Sequence, residues 1–139
     1  MGLSIQVEHV GGAPPVAVVD LGGELDASNF EQVIATVRDA YGAGARGLVL
    51  DLGGLSFMAS SGLFALHSAV RIMRGETPPD PEAGWGALHE LAGDDAAAFN
   101  VRLAAVQEPI ARVLERTHMT GLFGMDGSRA AAIRALQGA

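Results

Sequence analysis

The apolar residues of the chain switch repeatedly between strand-like runs and stretches with helical spacing. Residues 3–10 (LSIQVEHV) alternate apolar and polar side chains, which predicts a half-buried strand. Residues 16–21 (VAVVDL) and 47–52 (GLVLDL) are nearly continuous apolar runs, as in strands that are buried on both faces. Two further runs, at 101–106 and 122–125, predict a fourth and a fifth strand. We therefore expect an α/β fold with a single mixed sheet of about five strands.

The segments between these strands have apolar residues at helical spacing. This pattern predicts four helices, mainly on one face of the sheet. Their expected positions are 30–41, 60 to about Arg74, a third helix that starts near Pro109, and Ser128 to about Leu136. Proline suits the first turn of a helix because no intrahelical bond needs its missing N–H group. Strands and helices thus alternate through one domain, residues 1–139.

Residues 75–100 do not follow this alternation, because the connection is longer than a helix and a strand ordinarily need between them. Asp80 suits an N-cap there, with Pro81 at the first helical position. We expect an inserted segment between the second helix and the fourth strand, with one short helix. Its apolar stripe is expected to pack back on the domain or to form a dimer or partner contact: Trp85, Leu88 and Leu91.

Composition argues against several classes of function. The chain has no cysteine, which rules out a disulfide scaffold and any thiol-based metal site or nucleophile. Its net charge of −7 argues against direct contact with nucleic acid, which needs a basic surface. The four histidines have no ligand spacing and no nucleophile–base set can be assembled, so we expect no metal, no cofactor and no enzyme activity. Neither a membrane-spanning apolar run nor a signal-peptide core is present, so we expect a cytoplasmic protein without a membrane partner.

The stretch LSFMASSGLFAL, residues 55–66, carries an apolar strand directly into two serines and a glycine. A serine at such a junction can cap the N-terminus of the next helix. The alternative is that Ser60 accepts a phosphate, which brings about −1.5 to −2 charges at neutral pH. A helix N-terminus tolerates an anion, whereas a partner packed over the turn would be repelled, so such a site switches binding without unfolding the domain.

The turn before the first helix contains a second set of candidate capping residues. Ser28 with Glu31 matches a capping box, and Asn29 is a rival N-cap. Either arrangement would satisfy N–H groups that the first helical turn leaves without intrahelical partners.

Four motifs in order resemble those of STAS domains, and most of all those of the bacterial anti-sigma factor antagonists. They are GELD at 23–26, LVLDL at 48–52, LSFMASSGL at 55–63 and ARVLERTHMTGLF at 111–123. The resemblance covers roughly residues 3–74 and 101–137 and leaves only the insertion outside. It implies a small sheet faced by helices, with a switch serine at the start of the second helix.

The resemblance also implies a mechanism of regulation. An unphosphorylated antagonist of this family binds a kinase-type anti-sigma factor and thereby releases the sigma factor, and a phosphatase resets the phosphorylated form. Ser60 is then the phosphorylated residue, and Ser61, Gly62 and Leu63 complete the partner-binding turn. Asp26 matches the family's acidic residue on the same surface, and an aspartate at a helix start is an equally good explanation of it.

Two positions depart from the family pattern. Ala59 stands where an aspartate is expected, and Phe64 stands where a small residue, often glycine, is usual. The missing carboxylate removes a group that could orient the hydroxyl or be recognised by the kinase. Phe64 is expected to lie in the core, and an apolar contact for a partner is the alternative. A STAS scaffold that binds constitutively in a signalling or transport assembly and a nucleotide- or lipid-sensing module stay open as alternatives. A homodimer is also compatible with the sequence.

Overall fold

In the computed structural model, which describes residues 2–75 and 100–138, five strands form one mixed sheet. The strands are β1 (Leu3–Val10), β2 (Val16–Leu25), β3 (Gly47–Met58), β4 (Val101–Ala104) and β5 (Gly124–Asp126). They lie in that order across the sheet, with β1 antiparallel to β2 and all other neighbours parallel. The predicted α/β class and single mixed sheet are confirmed. The predicted short helix of the insertion lies outside the described residues, and so do Asp80, Pro81, Trp85, Leu88 and Leu91.

The described part of the chain contains four α-helices: α1 (Phe30–Gly42), α2 (Ser60–Met73), α3 (Glu108–Arg116) and α4 (Arg129–Gln137). Pro109 lies in the first turn of α3. Ser128 caps α4, since its hydroxyl oxygen accepts a hydrogen bond from the Ala131 N–H group at 3.2 Å. Both of these helix starts agree with the sequence-based prediction. A short 3-10 turn, Thr120–Leu122, precedes β5.

The sheet is covered on both faces, because β2 and β3 are apolar in both directions. Ala17, Val19 and Leu21 of β2 point into the larger apolar cluster, which α1, α2 and α3 cover. The alternate residues Val16 and Val18 belong to a smaller cluster that α4 covers. The prediction that the helices lie mainly on one face is confirmed for three of them, and α4 takes the other. We call these two sides the three-helix face and the α4 face.

Both central strands run further than their apolar runs predict. β2 continues to Leu25 and β3 continues to Met58, through a pair of glycines in each strand. Gly22 lies opposite Gly54, and a Cβ atom on Gly54 would be 3.3 Å from the Gly22 Cα atom, so the two strands approach closely there. Register shifts flank this point, as expected of β-bulges. The extension carries both strand ends to the candidate functional site.

α4 is fastened to the sheet at both of its ends. Near its start, the Arg129 guanidinium donates to Asp51 through Nε at 2.9 Å and to Asp20 through a terminal nitrogen at 2.7 Å. The two carboxylates raise the pKa of Arg129, chiefly through the hydrogen bond to Asp20. At the other end, the Gln137 amide donates to the Gly11 carbonyl at 3.1 Å. The α4 face is therefore closed by polar contacts as well as by apolar packing.

Replacing Arg129 with alanine is expected to loosen α4. The Asp51 side chain is only 13% exposed, so it would lose its ion pair while it stays shielded from water. We expect the free energy of unfolding to fall by about 1–2 kcal/mol, measured by urea denaturation. Arg134→Ala is the matched control, because Arg134 lies exposed on the same helix. Equal losses in the two variants would contradict the anchoring role.

Candidate functional site

Two strand-to-helix junctions meet at one end of the sheet. The Ala59 N–H group donates a 2.9 Å hydrogen bond to the Leu25 carbonyl, directly beyond the point where Leu25 lies opposite Met58. Asp26 follows Leu25 in the chain, and Ser60 follows Ala59. The bond therefore holds Asp26 and Ser60 next to each other at the carboxyl ends of two parallel strands. This end of the strands is the usual place for binding sites in open α/β sheets.

Ser60 is the first residue of α2, and it is exposed. The N-cap position belongs to Ala59, which has extended backbone angles and no side-chain acceptor. The interpretation of the serine pair as plain helix caps is therefore wrong. The neighbouring Ser61 hydroxyl is buried and has no hydrogen-bond partner among the described residues. Ser60 thus presents an accessible hydroxyl at a helix N-terminus, where free N–H groups favour an anion.

Gly62 and Leu63 lie beneath this turn and not on its surface. Leu63 is 2% exposed and belongs to the core under the three-helix face. Gly62 is buried where α2 crosses the strand ends, and a Cβ atom there would be 3.0 Å from Cγ of Leu25 and closer still to Met58. These two residues therefore set the position of the turn. The accessible part of the predicted surface is formed by Ser60, with the half-buried Asp26 beside it.

Asp26 organises the turn that leads into α1. Its carboxylate accepts hydrogen bonds from the Ser28 hydroxyl at 2.6 Å and from the Ser28 N–H group at 2.9 Å. These bonds, the hydroxyl bond first, lower the pKa of Asp26 below its ordinary value, so the side chain is negatively charged at neutral pH. A negative charge therefore lies on the turn that adjoins the start of α2.

The first turn of α1 is not closed by a capping box. The Ser28 hydroxyl bonds to Asp26 and not to the helix, so the predicted pairing of Ser28 with Glu31 is wrong. Asn29 does hold the N-cap position, but its side chain makes no capping bond. Its amide instead donates to the Glu24 carbonyl and accepts from the Asp26 N–H group, both at 2.9 Å. Asn29 thereby ties the end of β2 to the loop that presents Asp26.

Two phenylalanines near the serines have opposite surroundings. Phe64 is 9% exposed and its ring meets Phe30 edge-on, with ring centroids 6.1 Å apart, so it lies in the core as predicted. Phe57 is 49% exposed although it lies within β3. It pairs with Glu24 and points away from the core that Met58 enters. Sequence reasoning missed Phe57; because neighbours in a strand point to opposite faces, a buried Met58 is the signal that would have revealed it.

Other kinds of site have less support in the described part of the chain. Among residues 2–75 and 100–138, no group of three His, Asp or Glu side chains could hold a metal ion. No helix in these ranges is long and apolar enough to cross a membrane. A groove of about 300 Å³ lies at the opposite end of the sheet from Ser60, lined by His9, Val10, Pro15, Val16, Ala43 and Ala45. The groove therefore takes no part in the junction that holds Asp26 and Ser60.

Comparison with known proteins links these junctions to one family. The model of the STAS domain matches residues 4–76, a range that includes both strand-to-helix junctions. No curated protein sequence matches the chain significantly. Solved structures do share its fold, at low sequence identity.

Three of these structures are anti-sigma factor antagonists. The unphosphorylated form of SpoIIAA is 23% identical, with a TM-score of 0.64 over 98% of this chain and 100% of that chain. The phosphorylated form of SpoIIAA from Bacillus is 22% identical, with a TM-score of 0.63 over 96% of this chain and 99% of that chain. An antagonist from Mycobacterium paratuberculosis is 20% identical, with a TM-score of 0.66 over 98% and 95%. These matches show a shared fold, and the family model confirms the predicted resemblance to STAS domains.

Gly62→Ala is expected to destabilise the start of α2. A methyl group there would overlap Met58 and crowd Leu25, and such overpacking costs about 1–3 kcal/mol in the free energy of unfolding, measured by chemical denaturation. Gly42→Ala is the control, because Gly42 is a helical glycine of α1 with open space around it. That variant should be neutral or stabilising. Two variants of equal stability would contradict the close packing at Gly62.

Proposed function

The chain belongs to the STAS domain family, and on this basis we propose that it is an anti-sigma factor antagonist that works as a phosphoswitch. In its unphosphorylated form it binds a kinase-type anti-sigma factor in the cytoplasm, so that a sigma factor is released. The kinase transfers the γ-phosphoryl group of ATP to the Ser60 hydroxyl with release of ADP, and a phosphatase hydrolyses the phosphoserine. The observation that carries the proposal is the exposed Ser60 at the N-terminus of α2, beside Asp26.

A phosphate on Ser60 would change the surface far more than the fold. The free N–H groups at the start of a helix stabilise an anion by about 0.3–1 kcal/mol, so the domain itself accommodates the charge. The ionised Asp26 adds to the negative potential that a docked partner would meet. An uncompensated charge in an interface costs on the order of 2–5 kcal/mol, which is more than tenfold in affinity. The switch therefore acts on binding and leaves folding intact.

Phe57 offers a partner an apolar contact in addition to the polar groups of Asp26 and Ser60. Its ring is 49% exposed just before the serine turn, and aromatic side chains that a partner can cover dominate many protein interfaces. In this proposal Asp26 and Ser60 form the polar part of the same surface, and Gly62 and Leu63 support the serine turn from below. The partner is therefore expected to pack over Phe57 and Ser60 together.

Ala59 weakens the start of α2 in a specific way. At the N-cap, an aspartate can accept a hydrogen bond from an N–H group of the first turn, and an alanine cannot. Loss of such a cap costs about 0.5–2 kcal/mol. An aspartate at position 59 would thus cap α2 in addition to any role in phosphoryl transfer, and the two effects can be separated by substitution.

Charge at Ser60 is expected to decide binding. Ser60→Asp and Ser60→Glu should lower the affinity for a cognate kinase-type anti-sigma factor at least about tenfold, because each places an uncompensated charge in the interface. Ser60→Asn and Ser60→Gln are the size-matched neutral controls. Isothermal titration calorimetry measures the affinities, and the melting temperatures of all four variants should stay close to that of the parent chain. Equal affinities of acidic and neutral variants would rule out the phosphoswitch.

Ala59→Asp and Ala59→Asn separate helix capping from phosphoryl transfer. Both variants restore a cap, so each should raise the free energy of unfolding by about 1 kcal/mol. Only Ala59→Asp adds a carboxylate that can orient the Ser60 hydroxyl, so only this variant should be phosphorylated faster. Intact-mass measurements over time with kinase and ATP give the rate, with Ser60→Ala as the blank. Equal rates in both variants and the parent chain would mean that Ala59 does not limit transfer.

Ala59 also favours a second candidate function. A STAS scaffold that binds its partner constitutively would use the same surface and would not need a carboxylate beside Ser60. The scaffold role would replace the switch if kinase and ATP left the mass of the chain unchanged while the affinity for the partner was retained.

A further inference from the structure

The two edge strands of the sheet differ in length, and neither takes part in the proposed switch. β5 is an edge strand of 3 residues, and such a short edge offers little backbone to another chain. β1 is an edge strand of 8 residues, and it pairs regularly with β2 from Leu3 opposite Gly23 to Val10 opposite Val16. No strand among the described residues pairs with its outer side. β1 is therefore the open edge of the sheet.

β1 lacks the features that usually prevent edge strands from pairing. Those features are lysine or proline residues, bulges and inward-pointing charges. LSIQVEHV contains no Lys, Arg or Pro, its register with β2 has no shift, and Glu8 is its one acidic residue. Val7 adds an apolar side chain that is 43% exposed. A strand of this kind can accept another extended backbone along its whole length.

We propose that β1 pairs with β1 of a second copy of the chain, antiparallel and about a two-fold axis, so that the two sheets join into one. Residues opposite each other in a ladder share a face of the sheet. The odd-numbered residues of β1 therefore lie on the three-helix face and the even-numbered ones on the α4 face. In a continuous joined sheet, odd positions must lie opposite odd positions and even opposite even. This condition leaves few registers to choose from.

An axis through Ile5 would align only residues 3–7 of the two copies, and an axis through Val7 would set Ile5 opposite His9. The side chains of β1 are therefore best matched when the two-fold axis passes through Gln6. Ile5 then lies opposite Val7 of the second copy, and by symmetry this apolar pair forms twice. The two Gln6 side chains face each other, and Glu8 lies opposite Ser4. An axis through Glu8 would instead set two carboxylates against each other, which is destabilising. The Gln6 register therefore covers the exposed Val7 without charge repulsion across the ladder.

The proposed dimer leaves both switch surfaces accessible. β1 begins opposite Gly23, close to Asp26, so in an antiparallel pair the two Ser60 sites lie at opposite ends of the joined sheet. Each copy has a net charge of −7, so the copies repel each other at low salt and associate better when salt screens that repulsion. The inference does not depend on phosphorylation of Ser60, and its test can fail independently of the proposed function.

Sedimentation velocity on the full chain tests the edge. The parent chain should form a dimer as its concentration rises, and the dimer should strengthen with salt. Val7→Lys should raise the dimer dissociation constant by about tenfold, because it removes two Ile5–Val7 pairs and places a charge at the edge. Met125→Lys is the matched control: Met125 is 41% exposed on β5, the other edge strand, and its variant should dimerise like the parent. A parent chain that stays monomeric, or a dimer that Val7→Lys leaves unchanged, would overturn the proposal.

Cross-linking tests the register, and the absence of cysteine from the chain makes each introduced thiol unique. Gln6→Cys should form a disulfide-linked dimer on mild oxidation, because residues directly opposite in an antiparallel pair have Cα atoms about 4.5–5.5 Å apart. Glu8→Cys lies on the same face, but its two copies would be about 14 Å apart along the strands and should stay reduced. Linkage of Glu8→Cys in preference to Gln6→Cys would overturn the register. Linkage of neither would also overturn the Gln6 register, whereas the pairing itself is tested by the sedimentation experiment.

Discussion

The parallel pairing of β2 with β3 is the constraint on which the rest of the structure depends. Both strands are apolar in both directions, so both faces of the sheet must be covered, and helices α1 to α3 and α4 supply the two covers. The pairing also brings two carboxyl ends to the same edge. There the bond from the Ala59 N–H group to the Leu25 carbonyl joins the two strand-to-helix turns. The positions of Asp26 and Ser60 both follow from that bond.

Glycines allow the close backbone approach that this strand pairing and its helix junctions require. Gly22 and Gly54 let the strands approach where bulges bend them, and Gly62 lets α2 rest on the ends of both strands. Polar contacts fix the positions of α4 and of the turn before α1. Arg129 ties α4 to the sheet, and Asn29 ties the α1 turn to the end of β2. Apolar periodicity builds the layers, while glycines and a few hydrogen bonds set their exact placement.

The sequence predicts those features that follow from periodicity and misses those that depend on local backbone geometry. The five strands, the four helices and the starts at Pro109 and Ser128 agree with the structure. The glycine pairs follow the apolar runs that predict β2 and β3, yet they lie inside these strands, since a bulge accepts glycine as readily as a turn does. The predicted capping box at Ser28 is wrong because the Ser28 hydroxyl donates its hydrogen bond to Asp26 instead of capping α1. Phe57 was missed because exposure inside a strand depends on which neighbour is buried.

Ser60 does not cap α2, because the N-cap position belongs to Ala59. A serine that capped α2 would have to surrender its capping bond on modification, and the folded state would lose stability with every cycle of signalling. At the first helical position, a phosphate can be added or removed without such a loss. The phosphorylated form would then be at least as stable as the unmodified form, because the helix N-terminus favours the anion, and proteases that attack unfolded chains would not remove it faster. Phosphoserine at position 60 would therefore be lost through phosphatase activity and not through faster turnover of the modified protein.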